Sequence, residues 1–157
     1  MFLVLADDRE VRPATTQDAF ELELRDIDKR EIEACTPLEH NFMVEISRLQ
    51  SDWCMSFLSK GKPIAVFGVA PHTKQGWGVP WLLGSADIED NFMTFGRWSK
   101  PFLNRMFEKY GVLQNFVHAE NKIAIDWLQW LGFNFHGPYL MGRHGEPFFE
   151  FVQMRDS

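Results

Sequence analysis

The chain has 157 residues, 45% of them hydrophobic and 15% aromatic, which suffices for one buried core and excludes a disordered composition. Its formal net charge is -6, so it gains nothing from counterion release on a nucleic acid unless it carries a local basic face. The main basic grouping, Arg97, Lys100, Arg105 and Lys109, is spread over a helical segment with Glu108 and reads as a solvated face.

Taken in chain order, "MFLVLADD" is too short and lacks the basic region of a signal peptide. Val11 reads as a strand residue and Pro13, with no N–H to donate, as the end of its ladder. Thr16 with Asp18 behind it suits a helix start, and "QDAFELELRDIDKREIEA" reads as one helix with Phe20, Leu24 and Ile27 on its apolar face. Residues 37–49 repeat the pattern with Leu38, Phe42, Ile46 and Leu49. The period then changes. "DWCMSFLSKGKPIAVFGV" predicts a hairpin turning at Gly61, residues 71–78 a loop, and "VPWLLGSA" a short buried strand.

Residues 91–110 carry Phe92, Phe95, Trp98, Phe102, Met106 and Tyr110 at helical spacing, with Pro101 predicting a kink or break near Ser99. "VLQNFVHA" is a strand. Asn121 caps a helix whose apolar face is Ile123, Ala124, Trp127, Leu128 and Leu131, and Gly132 ends it. "FNFHGPYLM" and "PFFEFVQM" are strands joined by "GRHGE". The predicted order is β-α-α-β-β-β-α-β-α-β-β, an α/β architecture in one domain over residues 1–157. No run approaches the roughly 20 apolar residues of a membrane span. Cys35 and Cys54 have no metal-ligand spacing and read as reduced, partly buried thiols, so a soluble intracellular protein is expected.

This order, with "VRPATTQDA" early and "NKIAIDWLQWLGF" late, resembles the GNAT superfamily of acyl-CoA N-acyltransferases. The late motif's frame falls on Asn121, Ala124, Gly132 and Phe133. The resemblance implies a three-layer sandwich, with a central mixed, mostly antiparallel sheet flanked by helices. Over roughly residues 60–152, with "MFEKYGVLQNFVHAEN" the most specific part, the chain is also similar to small internal virion proteins of short-tailed (podovirus) phages. That likeness implies a phage origin, a place in the virion or the host cytoplasm, and virion or host proteins as partners.

An enzyme of the GNAT type needs a pyrophosphate cradle, an acid for the departing thiolate and a base for the amine. The cradle is a glycine-rich turn whose N–H groups face the anion. Here the segment is "SADIEDNF", with no glycine after Gly84 and with Asp87, Glu89 and Asp90, which repel a pyrophosphate; Asp90 or Asn91 reads instead as a helix cap. Gly84, Ser85 and Asn121 are the candidate contacts to acetyl-CoA, the cofactor an enzyme of this type would use. The position of the family's acidic tyrosine holds Leu128, which has no proton to give; Tyr139 is the candidate replacement. The strand "VPWLLGS" has no ionisable residue, leaving His118 and His72 as candidate bases. His136 and His144 carry no pattern, and the histidines show no zinc-type pairing.

Two readings follow. One is a non-catalytic protein working through protein contacts, with the aromatic segments "GWGVPW" and "NFMTFGRW" as candidate surfaces. The alternative is an acetyl-CoA-dependent N-acetyltransferase acting on a protein or small amine, a host target included. The acidic segment and Leu128 favour the first.

Overall fold

The computed structural model describes residues 3–6 and 8–156, without the side chains of residues 3–6, 92 and 93. Among these residues the strands are β1 (Leu3–Ala6), β2 (Arg9–Pro13), β3 (Trp53–Ser59), β4 (Lys62–Pro71), β5 (Trp77–Gly84), β6 (Val112–His118), β7 (Asn134–Met141) and β8 (Glu146–Met154). The helices are α1 (Thr16–Glu21), α2 (Asp26–Cys35), α3 (His40–Gln50), α4 (Asp87–Asp90), α5 (Phe92–Lys109) and α6 (Lys122–Trp130). The strands form one sheet in the order β1-β2-β3-β4-β5-β6-β8-β7. Every pairing is antiparallel except β5 with β6.

Alternation along the strands divides the core into two layers. On β4, Val66 packs with Leu22, Leu24, Ile32 and Val44 of the α1–α3 layer. Its neighbour Phe67 points the other way, onto Phe95 and Phe102 of α5. Leu128 of α6 and Leu131, which caps its C-terminal end, complete that second layer with Leu103, Met106 and Leu113. The mixed, mostly antiparallel sheet between helical layers is the architecture expected from the sequence.

Several local expectations change. The first helix is two helices, because Leu22 is extended and the Asn41 amide donates to the carbonyls of Ala19 and Leu22 at 2.9 and 2.7 Å. Leu22 and Leu24 can then both be buried, while Phe20 is 51% exposed. The N-cap of α1 is Thr15 rather than Thr16, in a reciprocal capping box with Asp18. Leu38, which lies before α3, and Phe42 and Leu49 on it face outward, and Val44 turns inward instead. Glu45 can sit on the inner side because Arg48 pairs with its carboxylate. The β3–β4 turn is at Lys60–Gly61, both at positive φ, as its residues predicted. The expected loop narrows, since β4 runs to Pro71 and β5 begins at Trp77. Helix α5 continues through Pro101 without a break; the exposed Arg97, four residues earlier, can give its carbonyl to water. Asn121 caps α6 as expected, accepting from the Ala124 N–H.

Among the described side chains, none of the aromatic rings in the two segments singled out as contact surfaces is exposed. Trp81 is part-buried and donates to Ser51, Trp77 lies against His72, and Phe95 is core. Among the described residues the large apolar side chains that are exposed are Phe20, Leu38, Phe42, Leu49, Trp130, Tyr139, Leu140 and Met154. Cys35 is exposed and Cys54 half-buried, and neither is in a disulfide. Among the described residues no helix is long and apolar enough to cross a membrane.

Candidate functional site

The sheet opens between its two parallel strands. β5 and β6 are in register only at Trp77 with Val112 and Gly78 with Leu113, and then diverge. The joined end is pinned by Tyr110, whose ring lies so close to Gly78 that a Cβ there would stand 2.5 Å from a ring carbon. The Tyr110 hydroxyl donates to Asp52, and the Gly111 N–H donates to Gly76 at 2.9 Å. One step further along, Asn115 Nδ2 bridges the gap by donating to the Pro80 carbonyl at 2.9 Å.

Antiparallel ladders turn alternate residues toward opposite neighbours. The Gly84 N–H donates to Asp28 Oδ2 and its carbonyl accepts from the Arg25 N–H, both at 2.9 Å, so Gly84 faces the open edge rather than β4. Pro80 faces the same edge. Leu82, midway between them, therefore turns its N–H and C=O into the opening. This is one residue of unpaired-type strand edge with both flanking positions filled.

Around that edge lies a cavity of about 350 Å³ that passes through the sheet. On the α1–α3 side it is bounded by Ile32, Cys35, Met43 and Trp81, and on the α5–α6 side by Phe95, Ser99, Trp127 and Leu128. Trp127 is fixed there by donating to Ser99 Oγ at 3.0 Å.

The principal acid in the lining is Glu31 of α2. Its Oε1 accepts from the His118 N–H at 3.2 Å and from Asn121 Nδ2 at 2.9 Å; Oε2 has no hydrogen-bonding partner among the described residues. Burial, with the nearby charge of Asp28 adding to it, pushes the Glu31 carboxyl up to about 7. Asp28 is also raised by burial, although Arg25 holds it through two hydrogen bonds of 3.0 Å. Behind Glu31, His118 is fully buried. Its Nδ1 accepts from the Glu120 N–H at 3.1 Å, so the neutral ring carries its proton on Nε2, facing Glu146 at 2.9 Å. Hydrogen bonds from His118 and then Arg30 hold Glu146 below the usual carboxylate range.

The sequence candidates fall as follows. His118 and Asn121 meet at Glu31, where both position the carboxylate, and both His118 nitrogens are already engaged. His72 lies at the joined end of the wedge, with Nδ1 accepting from the Lys74 N–H and Nε2 paired with Gln114 at 3.0 Å. Tyr139 is 51% exposed on β7 and does not line the cavity. Gly84 has both backbone groups engaged. The Ser85 N–H donates to the Ile64 carbonyl, and its hydroxyl accepts from the Asp87 N–H at 3.2 Å. Asn91 stands at the N-cap position of α5 but makes no capping bond; its Nδ2 reaches back to the Asp87 carbonyl at 2.8 Å. Asp87, Glu89 and Asp90 are exposed before α5, with Glu89 3.8 Å from Arg25. Leu128 is buried in the α5–α6 layer.

Sequence reasoning missed Arg25, Asp28, Glu31 and Asn115. Glu31 is one of many charged residues in "LRDIDKREIEA", and spacing gives no sign that it is the acid among them that faces a cavity. Among the described residues no group of three His, Cys, Asp or Glu could hold a metal ion.

No family model matches the chain, and no curated protein matches it. Solved structures do. An Ard1 from Thermoplasma volcanium aligns with a TM-score of 0.73 at 10% identity, over 96% of this chain and 100% of that one. The ribosomal-protein-S5-alanine acetyltransferase from Vibrio fischeri aligns at 0.67 and 14%, over 97% and 96%. The putative acetyltransferase yncA from Salmonella typhimurium, solved with acetyl-CoA, aligns at 0.67 and 12%, over 96% of each chain. The fold is that of the GNAT acetyltransferases.

Proposed function

We propose that the chain is an acyl-CoA-dependent N-acyltransferase of the GNAT type. The observation that carries this reading is the cavity through the sheet, with the Leu82 strand edge and Glu31 both on its wall. A thioester arm is rich in amides, and the Leu82 N–H and C=O offer it the two hydrogen bonds of one strand residue. An acyl-CoA supplies the activated carbonyl. Glu31, with an unused oxygen and a pKa near neutrality, takes the proton that the amine loses on forming the amide. With Leu128 in place of an acid, the thiolate leaves as the anion, which a free thiol forms readily because its ordinary pKa is about 8.5.

The pyrophosphate is served less well. The segment before α5 presents Asp87, Glu89 and Asp90 to solvent, and the Gly84 and Ser85 groups are engaged within the fold. The chain therefore binds acyl-CoA through its arm rather than through its phosphates. Calorimetric titration with acetyl-CoA tests the reading: saturable one-to-one binding is expected, and no heat at millimolar ligand refutes it.

The acidic segment favours a second reading, a phage-encoded, virion-associated protein that keeps the scaffold and acts through virion or host proteins. That reading rests on the resemblance noted for "MFEKYGVLQNFVHAEN" alone, to which no comparison adds support; the neighbours named above are acetyltransferases and none is a virion protein. Mass spectrometry of purified phage particles tests it, and absence of the chain from them removes it.

A further inference from the structure

The mouth of the cavity on the α2 side is bridged. The β7–β8 turn folds over the C-terminal end of α2, where the Arg143 N–H donates to the Ala34 carbonyl at 2.7 Å and Arg143 Nη1 donates to the Glu33 carbonyl at 2.9 Å. Gly142 makes this approach possible, since a Cβ there would stand 2.7 Å from the Ala34 oxygen. The Ile32 carbonyl accepts from the Thr36 N–H at 3.0 Å. Three successive carbonyls at the end of α2 are thus already bonded within the fold and are not left open to the backbone of an incoming chain.

Behind this bridge the wall is apolar, formed by Ile32, Met43, Trp81, Leu83 and Met141, with Glu31 among them. Arg25 also reaches the lining, but Asp28 takes its guanidinium through two hydrogen bonds. An amine entering here as the free base meets a wall that is mostly carbon, with the short polar side chains of Cys35, Thr36 and Ser47 in it, and Glu31 Oε2 is the carboxylate oxygen it finds without a partner among the described residues. The whole cavity, about 350 Å³, is near the lower end of ligand pockets, which run from about 300 to 1,000 Å³. It has to hold the end of the thioester arm as well, so little room is left for the acceptor.

We infer that the acceptor is a small primary amine bearing one compact apolar group, of the arylalkyl or alkylamine kind, rather than the N-terminus of a polypeptide. The amine nitrogen lies at Glu31 Oε2, and the apolar group lies between Trp81 and Met43. In transfer the lone pair of the neutral amine forms the N–C bond, the C–S bond breaks with its electrons going to sulfur, and the one proton the nitrogen sheds on becoming an amide passes to the Glu31 carboxylate. This inference rests on the transferase reading.

Two measurements on the full chain test it. The first is protein-detected NMR with phenethylamine alone, against spermidine and a free-amino hexapeptide. The second is thiol release from acetyl-CoA with the same three acceptors. Expected are shifts of Trp81 and Met43 signals with phenethylamine, and a kcat/KM at least tenfold above that for the other two. Glu31→Gln should lower kcat/KM for phenethylamine at least 100-fold without loss of fold. Hexapeptide or spermidine turned over as fast as phenethylamine overturns the inference and leaves the transferase reading standing. Phenethylamine that shifts the cavity signals, with no thiol released for any acceptor, supports the amine site and overturns the transferase reading. No shift and no release overturns both.

Discussion

Glu31→Gln should stabilise the protein at alkaline pH and leave it unchanged in acid. Gln keeps an oxygen for the His118 and Asn121 N–H groups that Glu31 Oε1 satisfies at 3.2 and 2.9 Å, so the main loss is the charge. Burial and Asp28 hold the folded-state carboxyl at about 7 against an ordinary value of 4.5. A raised carboxyl means that the folded state binds the proton more tightly than the unfolded chain does. The stability this group contributes is complete below pH 4.5 and is lost as pH rises through 7. An interval of that size amounts to about 3 kcal/mol, reduced to about 2 because the side chain is partly solvated. For a chain of this length each kcal/mol moves Tm by about 2–4 °C, so the variant should melt about 4–8 °C higher than the parent at pH 8.5. At pH 4.5 the two should melt together. Calorimetric scans at both pH values measure the difference. Equal melting at pH 8.5, or a gain of the same size at both pH values, would refute the assignment of Glu31 as a desolvated carboxyl.

Leu82→Pro removes an N–H that faces the opening and not β4, as Pro80 already does two residues earlier; circular dichroism should show the fold retained, while acetyl-CoA binding by calorimetry weakens at least tenfold. Unchanged binding would exclude the Leu82 edge as the arm's contact. Neutralising the segment before α5 with Asp87→Asn, Glu89→Gln and Asp90→Asn should tighten acetyl-CoA binding by about tenfold at low salt, with the gain shrinking as salt screens it. No gain at low salt would place the phosphates elsewhere. Asp18→Ala should cost about 3 kcal/mol in urea titration. It removes the capping box of α1, leaves the buried Ser56 hydroxyl without its partner at 2.8 Å, and takes from Arg12 its bonds at 2.7 and 3.0 Å. Although burial alone would raise it, the hydrogen bonds from Arg12, Ser56 and Thr15 hold Asp18 below its ordinary 3.8. Its contribution should therefore be present above pH 3.8 and vanish as pH falls through the lowered value.

Much of this protein follows from its sequence because the relevant signals are local. The alternation in "CMSFLSKGKPIAVFG", the cap at Asn121 and the apolar spacing of α6 each act over a few residues, and together they specify strands, helices and their order. The acidic residues before α5 and Leu128 in the late helix were legible for the same reason: identity at a known place in the order is enough to say what chemistry they lack. The break between α1 and α2 was not legible, because it depends on the Asn41 amide, 19 residues beyond Leu22. Nor was the outward face of α3, where helical spacing says which residues share a side but not which side meets the sheet. The site itself belongs to the tertiary structure. Leu82 is exposed to the opening because β5 and β6 part after Gly78, and Glu31 is set apart from its charged neighbours because His118 and Asn121, 87 and 90 residues away, bring it to the cavity wall. Burial is a property of what surrounds a group, and so Glu31 as a carboxylate able to exchange a proton near neutral pH can be recognised only after the chain has folded around it.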